Sequence, residues 1–314
     1  MPNNNELYDV IIVGGGPGGL TAGIYAQRAR MKTLLIEKEG LGGQIAKSDI
    51  IENYPGFPSI GGAELMAKFE EHARGLDLEI KFAPVEKIEV EGDLRKVTTA
   101  EGDEFLTKSV IICTGAHPKL LGVPGEKEMF GKGVSSCATC DGPFFRGQDV
   151  LVVGGGDTAV KDSAYLSRVV GNVTIVHRRD EFRAEKILQE KVIGADNVTI
   201  LWSHTLKEVK GDKMGVTGAV VTDIKTKEDK ELSVMGVFIF IGINPNTGFI
   251  DCVEKDNGGF IKTNSKMETS VKGIYAIGDC RDTPLLQVAS AVGDGSIAAC
   301  MATEYVGGLP YMEK

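Results

Sequence analysis

Nothing in the chain is apolar for long enough to cross a bilayer. The longest apolar runs, such as Val237–Ile241, are far shorter than the roughly 20 residues a spanning helix needs. Met1–Tyr8 is polar and has no basic run leading into an apolar stretch, so it does not read as a secretory leader. Basic residues are in deficit, with 35 Lys and Arg against 44 Asp and Glu and a net charge of −9. That balance argues against nucleic acid and anionic membrane as partners. Histidine is scarce: there are four, none spaced as a catalytic pair, which argues against a Cys–His hydrolase. Cysteine is sparse as well. Of six, only two are close together, which is no secreted disulfide framework, and no second ligand pair completes a zinc site. The expectation is a cytoplasmic protein without a metal.

What is present is an ordinary globular profile, 42% hydrophobic and 25% charged, over 314 residues, enough for two domains. Its most specific feature is Cys137-Ala138-Thr139-Cys140-Asp141. Two thiols three positions apart can close a small ring as a disulfide. Such a pair takes up two electrons and two protons and passes them on by thiolate attack on another disulfide. Asp141 directly follows the second thiol, where a carboxyl can move those protons. Cys137, Cys140 and Asp141 are therefore the candidate catalytic residues.

The remaining motifs suit the supply of electrons to that pair. Asp9–Val13 reads as a strand, Gly14-Gly15-Gly16-Pro17-Gly18-Gly19 as a turn, Leu20–Arg30 as a helix and Thr33–Ile36 as a second strand ending at Glu37. In this order Gly14 allows the tight turn, Gly16 lets a pyrophosphate approach the backbone, and Gly19 lets helix and strand pack closely. Glu37 can accept hydrogen bonds from a ribose diol. Asp149–His177 repeats Asp9–Glu37 without a gap, each residue 140 positions after its counterpart. Two copies of one βαβ unit predict an α/β protein with two dinucleotide-binding domains.

The copies differ where ribose is read. In place of Glu37 the second has His177-Arg178-Arg179, with Arg183 one turn on. An acid there repels a 2′-phosphate, whereas forked guanidinium donors bind one, so this copy is expected to prefer NADPH to NADH. Further along, Glu64–Arg74 and Glu181–Ile193 read as helices. Val198–Leu201, Val216–Thr222 and Val237–Phe240 read as strands, Asn244-Pro245-Asn246 as a boundary turn, and Gln287–Tyr305 as a closing helix. Cys113, Cys252, Cys280 and Cys300 are expected to be small buried hydrophobes. Phe144-Phe145 fits partner docking and core burial equally.

Together these residues resemble the low-molecular-weight thioredoxin reductases, of the pyridine nucleotide–disulfide oxidoreductase class. The resemblance rests on the motifs above and on Gly42-Gly43-Gln44, Glu52-Asn53-Tyr54-Pro55-Gly56, Gly154-Gly155-Gly156-Asp157-Thr158-Ala159 and Gly278-Asp279, and it runs nearly end to end. It implies two three-layer Rossmann-like domains, with an NADPH domain (118–245) that carries the disulfide inserted in an FAD domain (1–117 and 246–314). It implies FAD contacts at Gly14, Gly16, Pro17, Gly19, Glu37, Lys38, Gly42, Gly43, Gln44, Asn53, Val85, Thr114, Gly115, Gly278, Asp279, Gln287 and Val288. NADPH contacts follow at Gly156, Asp157, Thr158, His177, Arg178, Arg179 and Arg183. It implies further that Cys140 faces the flavin, that Cys137 attacks thioredoxin, that the domains rotate about 116–121 and 242–247, and that the protein is a homodimer. Two departures stand out: Leu286 replaces the usual Arg before Gln287, and Glu128–Lys132 differs from the commoner aromatic–glycine–basic loop. A ferredoxin-driven relative is expected to lack the arginine cluster, a peroxiredoxin-directed one to add a redox domain, and a flavin-binding sensor to lose the cysteine pair.

Overall fold

A computed structural model describes residues 6–48 and 50–307. The chain forms two units, one of residues 1–117 and 244–314, the other of 118–243 inserted between them.

The first unit begins with β1 (Leu7–Val13), α1 (Pro17–Arg28) and β2 (Thr33–Glu37). Then come α2 (Gly62–Arg74), β3 (Glu79–Phe82), β4 (Val85–Glu91), β5 (Leu94–Thr99), β6 (Glu104–Ile112) and β7 (Ala116–Pro118). β1 lies between β2 and β6 in a parallel sheet ordered β3-β2-β1-β6, and β5 and β4 extend it antiparallel. β1 is apolar in nearly every position because both of its faces are covered. Val10 and Ile12 pack with Leu20 and Ile24 of α1, while Ile11 and Val13 pack with Ile88 and Val97 of the antiparallel strands. Each such side chain taken out of water stabilises the fold by about 1.5–3 kcal/mol.

The inserted unit contains β8 (Val134–Ser135), the one-turn α3 (Ala138–Asp141), β9 (Val150–Gly154), α4 (Asp157–Leu166) and β10 (Val173–His177). It continues with α5 (Lys186–Ile193), β11 (Val198–Trp202), β12 (His204–Asp212), β13 (Gly215–Asp223), β14 (Asp229–Leu232) and β15 (Gly236–Phe240). Its parallel sheet has the order β11-β10-β9-β15-β8. α4 and α5 cover one face through Val150 and Val152, and the β12–β14 meander covers the other through Leu151 and Val153. Each unit is thus a three-layer Rossmann-like α/β fold. The chain returns through β16 (Ile243–Pro245), β17 (Ile274–Ala276), parallel to β6, and α6 (Val288–Gly307).

Several sequence expectations need correction. Residues 181–185 are not helical, and α5 starts at Lys186. The amides of this stretch are held elsewhere: Arg183 N–H donates to the Gly155 carbonyl at 2.8 Å and Glu185 N–H to Asp157 Oδ1 at 2.8 Å. Asn244-Pro245 is not a turn but part of β16, which pairs with β7. β12 was not anticipated; its charged alternation belongs to a strand with one wet face. Cys113 and Cys280 are buried, but Cys252 and Cys300 are only half-buried. Phe145 packs edge-on against Phe238 at 5.5 Å, whereas Phe144 is exposed.

Candidate functional site

Two glycine turns and one disulfide make up the candidate site. In the first unit, β1 ends where the chain must turn at once into α1. Gly14 makes that turn with φ +113°, and a Cβ there would sit 2.2 Å from the Cys113 carbonyl oxygen. A Cβ at Gly19 would meet the Gly14 carbonyl at 2.0 Å, so only glycine lets α1 close onto the strand. Gly16 differs: no atom lies within 4 Å of where its Cβ would be. It also precedes a helix whose first turn has Pro17, no acidic residue and no side-chain cap. Open amides, the helix dipole and free space together suit a pyrophosphate.

The other predicted residues of this unit gather at the carboxyl ends of the parallel strands, where open α/β sheets bind ligands. Glu37 ends β2; its carboxylate accepts Gly15 N–H at 2.6 Å and Glu39 N–H at 3.0 Å. Gly42 N–H bonds the Gly15 carbonyl at 2.8 Å, which brings Gly42, Gly43 and Gln44 beside the first turn. Ala83 N–H bonds the Glu37 carbonyl at 2.9 Å, with Val85 two residues on. Thr114 and Gly115 follow β6. Asn53 Nδ2 donates to Gln287 Oε1 at 3.0 Å, just before Val288 opens α6. Lys38 is exposed and pairs with Glu39.

Gly278 and Asp279 follow β17 and are held by a buried pair that sequence reasoning missed. Arg281 grips Asp294 with two bonds, Nε to Oδ2 at 2.8 Å and Nη2 to Oδ1 at 3.0 Å, and Gly278 N–H donates to the same Oδ2 at 3.0 Å. Burial, and then the nearby Asp294 carboxylate, push the Asp279 carboxyl up to about 6. A half-buried acid with its pKa raised in this way, at a strand end beside the cradle, suits accepting a hydrogen bond from a ligand hydroxyl.

In the inserted unit Gly156 is likewise open and precedes α4; its nearest neighbour is an Arg183 guanidinium nitrogen, 3.9 Å from a built Cβ. Asp157 and Thr158 begin α4 and are exposed. Arg178, Arg179 and Arg183 are exposed after β10, and none has an ion-pair partner among the described residues. His177 is not with them. Its ring is buried under Gly155, 2.3 Å from a built Cβ, and packs near Phe182 and Trp202. Burial, then the arginines, hold its pKa below the usual histidine range, so at neutral pH it supports the cradle without charge. Its buried Nε2 has no hydrogen-bond partner among the described residues.

Cys137 follows β8 and is bonded to Cys140, with 5.3 Å between their Cα atoms. Cys137 caps α3: its sulfur accepts Cys140 N–H at 3.2 Å and lies 3.5 Å from Thr139 Oγ1. Ser135 Oγ accepts Cys137 N–H at 3.0 Å. Asp141 ends the same turn. β8 and β9 flank β15 in a parallel sheet, about 10 Å apart at normal strand spacing, so the disulfide and the second cradle both follow the carboxyl ends of its strands. Among the described residues, no group of three or more His, Cys, Asp or Glu is placed to hold a metal ion, and no helix is long and apolar enough to cross a membrane.

Comparison with known proteins agrees with this geometry. Residues 8–295 match the family described as pyridine nucleotide-disulphide oxidoreductase. The chain is 45% identical over 305 residues to a thioredoxin reductase of Bacillus subtilis, covering 97% of this chain and 96% of that one. It is 41% identical to a thioredoxin reductase of Listeria monocytogenes, over 98% of this chain and 96% of that one. Its fold superposes with a TM-score of 0.93 on a thioredoxin reductase of Streptococcus pyogenes, at 43% identity, over 97% of this chain and all of that one.

Proposed function

The chain belongs to the pyridine nucleotide-disulphide oxidoreductase family, and from that premise we propose that it is an NADPH-dependent, FAD-containing reductase of thioredoxin. The observation that carries the proposal is the Cys137–Cys140 disulfide in the same unit and sheet as an open glycine cradle that Arg183 faces and that exposed Arg178 and Arg179 follow in the chain.

FAD suits the first unit. The Gly14–Gly19 turn and the start of α1 would hold its pyrophosphate, Glu37 its adenosine ribose, and Asp279 a hydroxyl of its ribityl chain. NADPH suits the second, with its pyrophosphate over Gly156 and its 2′-phosphate among Arg178, Arg179 and Arg183. Held in the first unit, a flavin would supply two-electron chemistry to the disulfide, with NADPH as the hydride source. The protein's part begins when the S–S bond opens to two thiols. Cys140 N–H donates to the Cys137 sulfur and the Thr139 hydroxyl lies 3.5 Å from it, so both are placed to favour a thiolate there. That thiolate attacks the partner disulfide and forms a mixed disulfide; Cys140 then displaces the reduced partner and restores the Cys137–Cys140 bond. Asp141 supplies and collects the protons. Because one disulfide must meet both a flavin and a protein, the two crossings between units, 116–121 and 242–247, are the proposed hinges. Exposed Phe144 is the proposed docking residue.

The arginine cluster favours NADPH over NADH or ferredoxin as electron source. Anaerobic steady-state rates with thioredoxin test this. NADPH is expected to give a kcat/KM at least about tenfold that of NADH, the worth of one charge-assisted contact. Equal values with the two nucleotides, or turnover with reduced ferredoxin alone, would contradict it.

A further inference from the structure

Among the arginines that follow β10 sit two acids, Asp180 and Glu181, and Asp180 directly adjoins Arg179. A carboxylate there is misplaced in a site for a phosphate, since it can pair with its neighbours and repel the ligand. Its contacts resolve the difficulty. Asp180 Oδ1 accepts a hydrogen bond from Ser203 Oγ, and both carboxylate oxygens accept from Lys225 Nζ at 2.9 Å. These bonds, Ser203 first, hold the Asp180 carboxyl below its ordinary range, so it stays ionised and occupied.

The two partners come from different parts of the inserted unit. Ser203 is the single residue between β11 and β12, and Lys225 lies in the turn between β13 and β14. Ser203 is buried and held at φ +56°, a left-handed conformation that serine adopts only at a cost. Its backbone is committed on both sides: its N–H donates to the Arg179 carbonyl at 3.2 Å and its carbonyl accepts Ile224 N–H at 2.7 Å. One strained residue thus joins the arginine loop to the turn that carries Lys225. At the loop's far end Phe182 packs on Trp202 at 4.5 Å, and Arg183 N–H is bonded to Gly155.

We propose that Ser203 and Lys225 are specificity-determining positioning residues: they draw the Asp180 carboxylate away from Arg178, Arg179 and Arg183, leaving the three guanidinium groups for a 2′-phosphate. This rests on the reading of the second cradle as the NADPH site. Lys225→Met releases the carboxylate onto the arginines, and Ser203→Ala removes its other tie.

The test measures binding of 2′,5′-ADP and of 5′-AMP by calorimetry, beside kcat and KM for NADPH and NADH. Each variant is expected to weaken 2′,5′-ADP about three- to tenfold, the net worth of one ordinary hydrogen bond, with a smaller change for 5′-AMP. The loss in turnover is expected in the KM for NADPH and not in kcat. Asp180→Asn added to Lys225→Met is expected to restore most of the 2′,5′-ADP affinity, because the competing charge is gone. If the double variant binds no better than Lys225→Met, or if both ligands weaken equally, the contacts merely brace the loop and the proposal fails. If the wild type itself shows no preference for 2′,5′-ADP over 5′-AMP, the underlying cofactor reading fails instead.

Discussion

Asp279→Asn isolates one buried charge. With its pKa at about 6 against an ordinary 3.8, the Asp279 carboxyl binds its proton more tightly in the folded chain than in the unfolded one. The sign follows directly. Stability from the protonated carboxyl is fully present below about pH 3.8 and is lost as pH rises through about 6. Above that, the folded state holds an ionised carboxyl that burial and Asp294 disfavour by about 3 kcal/mol, at 1.36 kcal/mol per unit. Asparagine keeps the shape and removes the charge. In flavin-free protein the substitution should raise stability by about 1–3 kcal/mol at pH near 7.5, and change it little near pH 4. Urea unfolding followed by circular dichroism measures both values. Trp202 fluorescence is unsuitable, since that residue lies in the other unit. The same variant should retain FAD less well, since it loses a charged acceptor. A gain of equal size at both pH values, or a loss at neutral pH, would refute the reasoning.

Three further outcomes are expected. Gly14→Ala places a methyl 2.2 Å from the Cys113 carbonyl at a left-handed turn; it should cost about 2–4 kcal/mol in chemical unfolding and release flavin during purification. Arg281→Met leaves the buried Asp294 carboxylate without its ion-pair partner; a loss of about 3–5 kcal/mol is expected, and a loss below about 1 kcal/mol would show that the pair does not anchor the Gly278 turn. Cys137→Ser should abolish thioredoxin reduction while NADPH still bleaches the flavin, and full turnover would remove this sulfur from the mechanism.

Much of this was present in residue order because the dinucleotide turn imposes local, periodic demands. The repeat at an offset of 140 residues announced both parallel sheets, and glycine spacing located both cradles, since Gly14, Gly19 and Gly154 answer to nearby backbone atoms while Gly16 and Gly156 keep open space. The cysteine pair spans four residues and needs no tertiary context. What could not be read depended on distant partners. Residues 181–185 have helical composition, but Gly155 and Asp157 take the amides that a helix would use. His177 falls within a basic run, yet lies under a glycine because the strand before it ends buried. Ser203 gives no sign of its left-handed backbone, and Lys225 is an ordinary turn lysine until folding brings it to Asp180. The Arg281–Asp294 pair spans 13 residues with no motif to announce it.

The account turns on electrons passing from nucleotide through flavin into Cys137 and Cys140, and an anaerobic titration with thiol counting measures that passage directly. The protein as isolated should carry FAD. NADPH should bleach it and expose two additional thiols per chain, mapped by alkylation to Cys137 and Cys140, and thioredoxin should then re-oxidise both. A flavin-free protein, or a bleached flavin with Cys137 and Cys140 still joined, would contradict it.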